Sequence, residues 1–87
     1  MSFAKAVNER VFFLIEQISP SNREIVNRSL QIQVDTLRSA DFEKVPILIL
    51  QKKKQLENCK DLNKIEEIYS QIDALEWLQR QVVASIK

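Results

Sequence analysis

The groups in this chain that could do chemistry are a single cysteine, Cys59, two carboxylate pairs, and a run of three lysines. Histidine is absent, which removes the commonest general base, the commonest metal ligand and the usual activator of a serine or cysteine nucleophile. Glycine is absent too, so neither a phosphate-binding loop nor a dinucleotide fingerprint can be written in this chain. One cysteine makes no zinc site by itself and no disulfide within the chain, and it fits a reducing compartment. Of the carboxylates, Glu66 and Glu67 are neighbours, and Asp73 and Glu76 are three apart. On a helix the second pair shares a face and has the oxygen chemistry for a hard cation. Exposed acids at that spacing more commonly form a solvated face, and acid–base work needs a pocket as well. Cys59 beside Lys60 reads either as a redox-sensitive thiol near a helix end or as a small apolar filler, and the filler is the favoured reading. The expectation is a non-enzymatic protein with no cofactor and no metal.

Lys52, Lys53 and Lys54, with Lys44, Lys60 and Lys64 nearby, form the one charge cluster. They are the candidate contacts for nucleic acid, which is the alternative function. Arginines and aromatics, which supply base readout and stacking, are missing from the run. Consecutive residues on a helix also point about 100° apart, so three lysines in a row fan around the axis. Acids early in the following helix, Glu66 and Glu67, would lie near these lysines in an antiparallel hairpin. A solvated face with local pairing is the favoured reading.

The elements that position these groups follow from composition. Eighty-seven residues make one domain, spanning 1–87. A chain without glycine is poorly suited to tight hairpins, which need positive φ. The expected fold is all-α, a small bundle of about four helices with a long amphipathic C-terminal helix. Ala4, Val7, Val11, Leu14 and Ile18 repeat at three and four and predict a first helix from about Ser2 to Ile18. Ser19-Pro20 stops it and offers a cap and a first position for the next, with Ser21 and Glu24 as a second capping choice. Val26, Leu30, Val34 and Leu37 predict a second helix to about Ser39. Leu30, Ile32 and Val34 also alternate with polar residues, and Val45 to Leu50 is a compact apolar run. An α+β fold with a central hairpin near residues 30–50 is therefore the alternative.

Residues 41–45 read as a connector or a frayed turn, and Pro46 suits the start of a third helix ending near Asn58. Val45, Leu48, Ile49, Lys52, Leu56 and Cys59 share its expected inner face. Asp61 or Asn63 could cap a fourth helix running to Ile86. Its seam, Ile65, Ile68, Ile72, Leu75, Gln79, Val82 and Ile86, keeps a three-four alternation. Gln79 sits at a core-like position, where a polar residue can set register, or else at the edge of a curved seam.

Apolar residues exceed what one seam per helix can bury. Phe12 and Phe13 lie off the seam of the first helix, Leu78 flanks that of the fourth, and Trp77 lies opposite it. These four are the candidate protein-interface residues, because aromatics concentrate at interface centres. The expected function is a small interaction or regulatory module working through amphipathic helices. Its expected partners are a second copy, as a homodimer, and an unidentified protein. Residues 1–5 carry no signal-peptide pattern, and no segment approaches the ~20 apolar residues of a membrane span. A soluble, cytoplasmic protein is expected.

Overall fold

A computed structural model describes the backbone at residues 3–18 and 24–86 and the side chains at 4–18 and 26–84. It is all-α, with α1 (Phe3–Gln17), α2 (Glu24–Ser39), α3 (Val45–Asn58), α4 (Leu62–Ile86) and a 3₁₀ turn, Phe42–Lys44, ahead of α3. Among the described residues there is no strand, and the hairpin alternative is excluded because residues 24–39 and 45–58 are helical. The alternation at Leu30, Ile32 and Val34 arises because α2 is covered on two sides. Val34 and Leu37 enter the core and Leu30 packs against it, while Ile32 lines a groove toward α4. The capping expectations at Ser19, Pro20, Ser21 and Glu24 lie outside the described side chains.

Local signals set the helix boundaries. The Asp41 carboxylate accepts the Glu43 amide (3.1 Å) and starts the 3₁₀ turn. Pro46 follows in the first turn of α3, where its missing N–H costs nothing. The Asp61 carboxylate accepts the Asn63 amide (3.0 Å), and the Asp61 carbonyl accepts the Ile65 amide (2.9 Å). Of the two candidate caps for α4, Asp61 is the one used.

The helices lie side by side in the order α1, α2, α4, α3, curved enough that α1 also reaches α4. Among the described residues the backbones of α1 and α2 do not come close to that of α3, although their side chains share one core. The molecule is flat, 39 × 34 × 16 Å. α2 runs parallel to α4, since Arg28 meets Glu67, Ser29 meets Ser70, and Gln33 shares a cleft with Asp73 and Trp77. α3 returns antiparallel to α4 through the turn at residues 59–61. The 3₁₀ turn touches both α3 and α4 as the chain crosses between them.

α4 is therefore the central helix. Ile68, Ile72 and Leu75 are buried along its seam, and Ser70, Ala74 and Leu78 are buried on further sides. The small hydroxyls of Ser29 and Ser70 share a hydrogen bond (2.8 Å), and Ser70 also donates to the Glu66 carbonyl (3.0 Å). Small residues there let α2 and α4 approach closely while their polar atoms stay paired. Gln79 is exposed, so of its two readings the edge of the seam holds. One expectation is corrected. Leu78, expected at an interface, has 0 % exposure. α4 is contacted by α1, α2 and α3, so the side that carries Leu78 is covered as well as the seam.

Candidate functional site

Two arrangements bring together the residues that carry polar chemistry. The first joins α1 to α4. Arg10 places its guanidinium carbon 5.4 Å from the Phe13 ring centre and 5.6 Å from that of Trp77. Phe13 is three residues on along α1, one turn of the same helix. Trp77 is brought in from α4 by tertiary packing, half-buried against the core. A cation held between two aromatic faces clamps α1 onto α4. Beside it lies a cleft of about 260 Å³ lined by Arg10, Gln33, Asp73, Glu76, Trp77 and Arg80. Phe12 is 69 % exposed and Phe13 50 %. They are brought out on either side of a ridge formed by Glu9 and Glu16, opposite the buried Val7, Val11 and Leu14. Of the four expected interface residues, Phe12 and Phe13 are thus at the surface, Trp77 supports the cation clamp, and Leu78 belongs to the core.

The second arrangement surrounds α3, and here the three lysines separate. Lys52 is half-buried on the inner line with Val45, Leu48, Ile49, Leu56 and Cys59, the face expected from spacing. Lys53 turns to one side and pairs with Glu76 on α4 (3.7 Å). Lys54 turns outward and borders an open groove with Gln51, Gln55, Asn58, Cys59, Lys64 and Ile68. One run of sequence thus points to three sides of a helix and does not form a single basic patch. The Cys59 thiol is half-buried at the α3–α4 turn, 3.7 Å from the Asp61 carbonyl oxygen.

Glu66, Glu67 and Asp73 border one cavity of about 330 Å³ with Arg28, Ser29, Ile32, Tyr69 and Ser70, and Asp73 and Glu76 share the cleft beside Trp77. Glu67 approaches Arg28 at 4.0 Å across the α2–α4 groove, and Glu76 is held by Lys53. Among the described residues no three cysteine or acidic side chains converge as metal ligands would.

Sequence reading missed the outer side of α3. Ile47 is 55 % exposed and Leu50 69 %, directly opposite the inner line. The signal was present: Val45 to Leu50 is apolar all round one and a half turns, more than one contact face can cover. The Arg10–Trp77 contact had no local signal, because its partners are brought together only by the packing of α1 on α4. No family model, curated protein or solved structure matches the chain.

Proposed function

We propose that this chain is a small non-enzymatic protein-interaction module that self-associates and offers apolar helical surfaces to a protein partner. The observation that carries the reading is the exposure of Phe12 and Phe13. The core-facing line of α1 is already filled by Val7, Val11 and Leu14, yet the same helix turns two aromatic rings to solvent. Exposed aromatic side chains on a rigid helix are the raw material of interface hot spots. The clamp of Arg10 on Phe13 and Trp77 holds this surface in one geometry, which lowers the ordering cost of binding. A role as a cytoplasmic regulatory module is part of the same proposal. It is compatible with the described helices, none of which is long and apolar enough to cross a membrane.

Light scattering on a sizing column tests self-association. The expected mass rises from that of one chain, 10.2 kDa, toward twice that value as the loading is raised into the millimolar range. A single-chain mass up to the highest loading would overturn self-association. The absorbance ratio at 260 and 280 nm on the same peak tests the nucleic-acid alternative, where a co-eluting nucleic acid would displace the proposal. Partner binding through α1 is expected to fail in a Phe12→Ser variant.

A further inference from the structure

We infer that the outer edge of α3 is the surface on which two copies of this chain pair, their α3 helices lying antiparallel across a twofold axis. This deepens the self-association proposed above and rests on it. Glu43, Ile47, Leu50 and Lys54 follow one another at spacings of four, three and four. All four are exposed, and Ile47, Leu50 and Lys54 run along the side of α3 opposite Val45, Ile49, Lys52 and Leu56. Glu43 sits one turn ahead of Ile47, in the 3₁₀ turn that leads into the helix.

That line is complementary to itself in one orientation. In an antiparallel pair centred between residues 48 and 49, Ile47 faces the second copy's Leu50 and Leu50 faces the second copy's Ile47. The same register sets Glu43 against the second copy's Lys54, and Lys54 against the second copy's Glu43. Apolar side chains meet at the centre and opposite charges meet at both ends, as a twofold contact between identical surfaces requires. A parallel pairing would oppose Glu43 to itself and Lys54 to itself. Lys44 and the second copy's Lys53 also fall opposite one another, but at the margin. Lys53 is turned aside and held by Glu76 at 3.7 Å.

The exposed aromatic line of α1 does not share this property. The outer line of α1 places Phe12 between Glu9 and Glu16. An antiparallel pairing centred between residues 12 and 13 would set Phe12 against the second copy's Phe13, but also Glu9 against the second copy's Glu16, so like charges would meet at both ends. The α1 surface therefore suits a different protein, whereas the α3 surface suits its own copy. One helix pair is a small contact, so the dimer belongs to the weak, reversible class.

Sedimentation of the full chain from micromolar to millimolar concentration tests the assignment, with helicity followed by circular dichroism. The wild type is expected to pass from monomer to dimer over that range, and Leu50→Asp to remain monomeric with unchanged helicity. Lys54→Glu is expected to weaken pairing about tenfold, since it makes both end pairs repulsive. The double variant Glu43→Lys/Lys54→Glu exchanges the charges and is expected to recover most of the loss. A dimer that survives Leu50→Asp but dissolves with Phe12→Asp would overturn the α3 assignment while leaving self-association standing. A wild type that stays monomeric throughout would overturn both. Failure of the charge exchange to rescue Lys54→Glu would overturn the antiparallel register, and this holds even if Leu50→Asp does not fold.

Discussion

α2 and α3 pack on opposite sides of α4, yet they treat solvent differently. The inner line of α2, Leu30, Val34 and Leu37, meets the core, and its outer line is Arg28, Gln31, Asp35 and Arg38. Gln31 donates to the Asp35 carboxylate along that line (3.0 Å), as polar residues four apart on an exposed helix do. The helix is finished by its own chain. α3 also buries an inner line, with Val45 and Ile49 inside, but turns Ile47 and Leu50 outward. Both helices are stable in the fold because each has one covered face. Of the two, only α3 carries exposed apolar residues on the side opposite its inner line; the exposed Val26 of α2 continues that helix's inner line. The lesson is that burial on one side explains why a helix forms, and the composition of the other side tells what it is for.

Leucine truncations give the largest test of that contrast. Leu37→Ala on the inner line of α2 and Leu78→Ala at the centre of α4 remove side chains with 2 % and 0 % exposure. Each is expected to cost about 3 kcal/mol in urea denaturation, from lost transfer energy plus the cavity left behind. Leu50→Ala on α3 makes the same chemical change and is expected to shift stability by less than about 0.5 kcal/mol, measured at a concentration where the chain is monomeric. A Leu50→Ala loss as large as that of Leu37→Ala would mean the α3 edge is covered within one chain, and the contrast would collapse.

Trp77→Ala comes next in size. The ring is half-buried, so its loss is expected to cost about 2 kcal/mol, below the range for fully buried tryptophans. It also frees Arg10 from one of its two aromatic faces. The aromatic surface of α1 is then expected to lose its fixed geometry, and partner binding through Phe12 and Phe13 to weaken while most helicity remains. Unchanged partner binding alongside the stability loss would show that Trp77 is structural alone.

How much of this was legible in the chain depends on the range of the interaction involved. The helices were legible because three-four spacing is local. The inner line of α3 was readable residue by residue, from Val45 to Cys59. Asp61 was readable as one of two candidate caps, with Asn63, because a cap uses an amide two or three residues away. The misreadings came where the tertiary environment decides. Leu78 looked like a flank of the α4 seam, yet α4 is enclosed on several sides and the flank is covered too. Gln79 had two readings, core-like or edge of the seam, and its exposure selects the edge. The antiparallel complementarity of Glu43, Ile47, Leu50 and Lys54 was written in the sequence. It became visible only once the helix had a known inside, because the same run also fits a strand.

Caps and ion pairs supply smaller tests on either side of the contrast. Asp61→Ala removes the acceptor of the Asn63 amide at the start of α4 and is expected to cost about 1 kcal/mol, read by urea denaturation. The smallest expected effect concerns the Lys53–Glu76 pair. Both side chains are about half exposed at 3.7 Å separation, so a double-mutant cycle with Lys53→Ala and Glu76→Ala is expected to give a coupling below about 1 kcal/mol that shrinks in high salt. The value matters less than its consequence for α3. Releasing Lys53 from Glu76 leaves it free to face the second copy's Lys44, so Glu76→Ala is expected to weaken the α3 pairing modestly at low salt and not at high salt. An equal effect at both salt concentrations would show that Glu76 acts by packing and not by holding a lysine out of the way.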